Sequence, residues 1–237
     1  MRSWNLIVAV TLFFLISAIA GCSSDKLPKH EFLGLQLGMK QDELKKRFEG
    51  RIRIGKTHRR CTGCTSYLVS DYWQVDDLSG WDVAFVFAAQ KLGSNTVLQI
   101  QAKRNGSSAP PDAEVKGKII IDQRIKAWGT PVKLQTTIVS ADYKYVDGSR
   151  VWDPRKDVVD YYFWGDDSQV SYVKKQISTH DKIMPRYTDS NIEKQKKEVS
   201  PDFEDLVGVL LSYNKASESI TIEMKGPEAR RDTYEAN

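Results

Sequence analysis

The sequence predicts an α+β fold: an antiparallel sheet with helices packed on one face, arranged as two tandem helix-plus-strands halves, 32–103 and 112–225. Three observations carry this. Two helix-like segments each precede a run of strand-like segments. The strand-like segments are separated by short polar turns, which join antiparallel neighbours, rather than by the helical crossovers that parallel strands require. Composition is that of an ordinary globular chain, 41% hydrophobic and 28% charged, with no low-complexity tract.

The elements follow in chain order. Gln41-Asp42-Glu43 place acid at a helix start, Lys45-Lys46-Arg47 place base at its end, and Gly50 terminates it. Leu44 and Phe48, four apart, give this helix its buried stripe. "TSYLVSDYW" is β-prone, and "WDVAFVFA" is a run able to bury both faces. "TVLQIQAK" alternates, with Leu98, Ile100 and Ala102 opposite Gln99, Gln101 and Lys103, and 90–95 joins it to the preceding strand as a hairpin.

"RNGSSAPP" marks an internal loop. Asp112 reads as the N-cap of a second helix, with Val115, Ile119, Ile121, Ile125 and Trp128 near its apolar side; Gly129 and Pro131 end it. Further strands are expected at "DYKYV", "VVDYYFW", "QVSYVKKQ", "DLVGVLLSY" and "SITIEMK", with hairpin turns at 165–168 and 214–218. Residues 178–201 read as an exposed polar excursion containing a solvated helix, and 226–237 as a loose tail.

The N-terminus carries an address. One arginine precedes an apolar stretch of 15 residues, Leu6 to Ala20, that ends in small residues. That is the layout of an export signal and is short for a membrane span, which takes about 20 residues. Ile19-Ala20-Gly21-Cys22 resembles the lipobox of bacterial lipoproteins. The resemblance implies that 1–21 is a signal peptide, removed when a palmitate-type lipid is joined to the Cys22 thiol. A mature chain of 216 residues would remain, with 22–31 as its acylated start and tether. In that family an aspartate directly after the cysteine retains the protein on the inner membrane. Ser23 stands there, so the implied home is the outer membrane, facing the periplasm.

A second resemblance lies in "GLQLGMKQDELKKRF". It is similar to the Gly-x-x-x-Gly-Met-(Ser/Thr)-x-x-x-(Val/Leu) entry of small exported domains of the SmpA/OmlA type and of the β-lactamase-inhibitory-protein type. Gly34, Gly38, Met39 and Leu44 match, while Lys40 replaces the usual capping Ser or Thr. "IKAWGTP", Ile125 to Pro131, resembles helix ends of similar periplasmic proteins. The resemblance implies helices on an antiparallel sheet and a role in binding other envelope proteins, with no chemistry to carry over.

Export would put Cys61 and Cys64 in an oxidising compartment, where a disulfide is the first expectation. Thr62-Gly63 suits the tight turn between them. Two sharper readings stay open. Arg59 and Arg60 would lower a thiol pKa and make the pair redox-active, and His58 with the two thiolates would begin a metal site, short of the four ligands zinc takes.

Little else points to catalysis. No nucleophile elbow, phosphate loop or zinc-binding helix motif is present. His180-Asp181 falls in the polar excursion and reads as surface. Pro201-Asp202 with Glu223-Met224-Lys225 resembles the carboxylate–lysine arrangement of metal-dependent nucleases, against a tethered chain that would seldom meet DNA. The 35 basic and 31 acidic side chains leave too mild a charge to predict nucleic-acid binding. Trp73, Trp81, Trp152 and Trp164, with Tyr161 and Tyr162, form a candidate partner or ligand face, or else core. The expected function is therefore a lipid-anchored, non-catalytic binding protein of the envelope, without cofactor, metal or nucleic acid. A redox or metal-handling protein using Cys61 and Cys64 is the first alternative, and an envelope hydrolase with an acidic site the second.

Overall fold

The computed structural model describes residues 30–60, 67–87, 96–104, 113–188, 190 and 198–227. In chain order these contain α1 (Gln41–Arg47), β1 (Ile52–Arg60), β2 (Tyr67–Val75), β3 (Asp82–Phe87), β4 (Val97–Arg104) and α2 (Ala113–Trp128). There follow β5 (Val132–Val146), β6 (Ser149–Trp164), α3 (Asp167–Ile183), a 3-10 turn (Met184–Arg186), β7 (Gly208–Asn214) and β8 (Ser219–Lys225). All eight strands form one antiparallel sheet in the order β1-β2-β3-β4-β8-β7-β6-β5. Each run of four is a meander, and the last strands of the two runs, β4 and β8, pair at the centre (Gln99↔Lys225 to Arg104↔Ile220).

The sheet is covered on both faces. Successive residues of a strand point to opposite sides, and the apolar run Tyr161-Tyr162-Phe163-Trp164 divides accordingly. Tyr162 and Trp164 join Leu44 and Phe48 of the α1 region, Ile121 of α2, Phe85, Ile100, Leu211 and Met224 in the larger core. Tyr161 and Phe163 join Val173 and Ile177 of α3, Leu206 and Leu210 in a second core on the other side. The expectation of helices on one face is thus corrected: α1 and α2 lie on one face and α3 on the other. A β6 that is apolar on both sides exposes Tyr161 and Phe163 to water unless something covers them, and fully burying such a ring is worth about 2–3 kcal/mol.

α3 replaces the strand expected at "QVSYVKKQ" and the hairpin turn expected at 165–168. Asp166 is its N-cap, its carboxylate accepting from the Gln169 amide at 2.9 Å and the Ser168 hydroxyl at 2.6 Å. Gln169, Val173, Ile177 and His180 recur at helical spacing and are its buried residues. The helix therefore runs into the supposed excursion. His180 is only 3% exposed, and its Nε2 lies 2.8 Å from the Thr137 carbonyl of β5. The surface reading of His180 is overturned because its turn of α3 packs on the sheet. Asp181 likewise accepts from the Thr136 hydroxyl. The chain then rounds the sheet edge, where Val199 and Val139 exchange backbone hydrogen bonds at 2.8 and 2.9 Å.

Most other elements lie close to expectation. α1, β3, β4, β8 and the Asn214-to-Glu218 turn appear as read. α2 stops at Gly129, whose φ of +88° closes the helix. Ile121, Ile125 and Trp128 of the expected apolar side of α2 pack on the core, whereas Ile119 is 48% exposed and Ile120 packs inward beside them. β1 and the first ten residues of β5 are additions. Asp112 and 90–95 lie outside the described residues.

The N-terminal segment docks on α2. The His30 and Trp128 rings lie 5.6 Å apart, Trp128 Nε1 donates to the Glu31 carbonyl at 3.2 Å, and Phe32 stands edge-on to Trp81 at 4.9 Å. Burial lowers the His30 pKa from its ordinary 6.5. Folding therefore favours neutral imidazole. The contribution of this contact is complete above about pH 6.5 and declines as pH falls through the depressed value. Acidification from pH 7.5 to 5 is expected to move the Trp128 indole resonance in a two-dimensional NMR spectrum, and His30→Gln to abolish that titration. An indole signal that titrates identically in the variant would refute the assignment.

Candidate functional site: a projecting two-stranded arm

β5 and β6 outrun the sheet. Pairing of β6 with β7 ends at Val159↔Asn214, yet β5 and β6 continue together to Val146↔Ser149. The seven pairs from Ser140↔Arg155 to Val146↔Ser149 lie beyond both β7 and the Val139–Val199 bridge. At about 3.3 Å per residue they extend roughly 20 Å. The tip is Asp147-Gly148, with φ of +50° and +79°; left-handed conformation at both positions matches the twist of a two-residue hairpin, and Asp-Gly is among the pairs that adopt it most readily.

This arm carries apolar surface into solvent. Tyr145 is 75% exposed, Val146 42% and Val151 40%. Trp152 is half-buried and, by strand alternation, shares a face with Tyr145. A lone hairpin is marginal in water, so the arm depends on its root.

The root is held by two buried carboxylates on opposite sides of β6. Asp157, 1% exposed, accepts at Oδ2 from the Ser140 hydroxyl at 2.6 Å, from Asn214 Nδ2 at 2.8 Å and from Arg155 Nε at 3.3 Å. It thereby ties β5, β6 and β7 together where the arm departs. Asp160, 4% exposed, meets Lys215 Nζ at 3.2 Å and Lys133 Nζ at 3.7 Å, and accepts from Gln135 Nε2. Buried carboxylates of this kind hold only while their donors stay in place.

The expected site residues are distributed differently. Trp73, Trp81 and Trp164 are 5%, 4% and 5% exposed; of the two readings left open for them, partner face or core, they are core. Trp164 Nε1 also donates to the Gly129 carbonyl at 2.8 Å, pinning the end of α2. Only Trp152 of the four stands on a projecting surface. Cys22, Cys61 and Cys64 lie outside the described residues. Asp202 caps its own loop, accepting from the Glu204 amide at 2.9 Å, while Lys225 donates to the Phe203 carbonyl at 2.9 Å and Glu223 accepts from Gln99 at 2.8 Å. Among the described residues no three His, Cys, Asp or Glu side chains are grouped to hold a metal ion. The chain matches no family model, no curated protein and no solved structure. Tyr145, Val146, Val151, Asp157 and Asp160 were not among the expected site residues; the Asp147-Gly148 pair between two apolar-rich runs is the signal that would have exposed the hairpin.

Proposed function

We propose that this protein is a lipid-anchored, periplasm-facing component of the outer membrane, built as two tandem helix-plus-strands halves and acting without catalysis by binding an envelope partner. The observation that carries the binding role is the solvent-exposed apolar arm, because apolar surface concentrated on a projecting element marks an interaction site. The anchor rests on the lipobox at Cys22. From Cys22 to His30 the chain spans at most about 28 Å. His30 packs on Trp128, four residues before β5 begins. β5 is 15 residues long, so its far end is roughly 45 Å from its start. The tip therefore lies at the opposite end of β5 from the place where the tether joins the fold, which suits an arm presented to a partner.

Two measurements test the two parts. Metabolic labelling with palmitate is expected to mark the wild-type protein and not Cys22→Ala, which should leave the membrane fraction. A photo-crosslinker at Tyr145 in intact cells is expected to yield a discrete envelope product, while one at exposed Ile119 on α2 yields none. An unlabelled wild-type protein refutes the anchor. Equal background from both crosslinking positions, with turnover of a substrate by the purified protein, refutes the non-catalytic binding role.

A further inference from the structure

A different surface, at the opposite edge of the sheet, has the makings of a second site. From Lys45 to Arg60 the chain carries eight Lys or Arg against Glu49 alone. That is a net +7 within 16 residues, whereas the whole chain sums to +4, so everything else is slightly acidic. The fold concentrates this charge. Lys45, Lys46 and Arg47 form the last turn of α1, and Arg53, Lys56, Arg59 and Arg60 lie on β1, the first strand in the sheet order, which among the described residues pairs only with β2. Arg51 and Arg53 are partly engaged, by the Asp76 and Asp77 carbonyls and the Asp76 carboxylate.

Two further features coincide there. Among the described residues β1 pairs on one side only, which leaves half its backbone donors and acceptors on the outer edge over nine residues. Beside it, between α1 and β1, lies a cavity of about 390 Å³ lined by Lys45, Lys46, Phe48, Ile52 and Ile54, with Asp42 and Glu49 completing its wall. Ile54 is 63% exposed, an apolar residue in the middle of a charged edge.

We propose that the β1 edge and the cavity beside it receive an extended acidic segment of a partner protein, which pairs with β1 as a ninth strand and places an apolar side chain against Phe48 and Ile54. The inference rests on the reading that this protein works by binding, and it names a site separate from the arm. Charged residues on an edge strand are also a device against self-association. Here that argues for the assignment: a second copy pairing through β1 would bring two +7 segments together, while an acidic strand is attracted by the same charge. A bilayer surface would use the charge and leave the outward backbone groups unpaired. Strand addition uses charge, backbone and cavity together.

The test uses full-length protein in detergent micelles and a fluorescent nine-residue peptide alternating Glu and Val. The peptide is expected to bind, to weaken as salt rises from 50 to 300 mM, and to lose at least tenfold in affinity toward Lys46→Glu/Lys56→Glu and toward Ile54→Asp. The Lys-Val counterpart and a version N-methylated along its pairing edge are expected to bind at least tenfold more weakly. Circular dichroism on each variant checks that the fold is kept. Equal affinity of the N-methylated peptide would overturn strand addition, and binding to phosphatidylglycerol vesicles without binding to the peptide would assign the edge to lipid instead. Absence of peptide binding alongside a specific crosslink from Tyr145 would overturn this site and leave the binding role standing.

Discussion

Gly208→Ala is expected to destabilise the fold by roughly 2–5 kcal/mol, adding positive-φ strain of about 1–2 kcal/mol to overpacking of about 1–3 kcal/mol. Gly208 opens β7 with φ of +138°. A Cβ there would stand 2.7 Å from the Trp164 carbonyl oxygen and 2.8 Å from the Phe163 ring. A ring edge can yield, but the carbonyl belongs to β6 next to the Trp164↔Val209 pair, so relief requires moving the β6–β7 ladder itself. Gly148→Ala is the internal control. Its φ is +79° and nothing lies within 4 Å of the added carbon, so it carries conformational strain alone, about 1 kcal/mol. Urea unfolding of both variants separates the terms. Equal shifts of the two midpoints would show that the collision at Gly208 relaxes without cost.

Gly208 also illustrates what the sequence concealed. Its neighbours Val209 to Tyr213 are plainly strand-like, yet nothing local says which chain runs against the glycine. The same divide holds across the fold. α1, α2, β3, β4 and β8 were legible because their signals are local: caps, terminal charges and alternation. β1 was not, because "RIRIGKTHRR" mixes a glycine and many charges into a segment whose partner strand begins seven residues after its end. α3 was misread because Val170, Tyr172 and Val173 carry strand propensity, while Asp166 as a cap and the spacing Val173–Ile177–His180 carried the weaker helical signal. That single misreading also displaced His180 to the surface and left the second face of the sheet bare. Which of the indoles are buried was not legible. Trp81 and Trp152 are the same residue type in strand-prone surroundings, and only tertiary packing, with Phe32 edge-on to Trp81, puts one inside, while the position of the other on the β5–β6 arm leaves it half-buried.

The arm yields the second large effect. Asp157→Ala is expected to cost about 3 kcal/mol or more, the range for removing one partner from a buried charged network. Removal takes away the oxygen that accepts from the Ser140 hydroxyl, the Asn214 amide and the Arg155 guanidinium, and leaves the first two facing a cavity. These donors come from β5, β7 and β6 respectively, so the loss falls on the joint between arm and sheet and not on the apolar cores. Hydrogen exchange should report it unevenly. Amides of 138–157 are expected to lose protection in Asp157→Ala by a larger factor than those of β4, β7 and β8. Asp157→Asn keeps an acceptor of the same shape, and its cost should be smaller, since it surrenders the charge but leaves donors paired. In the wild-type protein Oδ1 of Asp157 is buried with no hydrogen-bond partner among the described residues, so the new amide group has no acceptor there and full rescue is not expected. If all three proteins exchange alike along the arm, the carboxylate is a bystander, and the arm's rigidity has to come from the β5–β6 ladder alone. A two-stranded ladder rarely supplies that much in water. The arm would then exist as drawn only when a partner holds it, and exchange in 138–157 would slow on adding that partner.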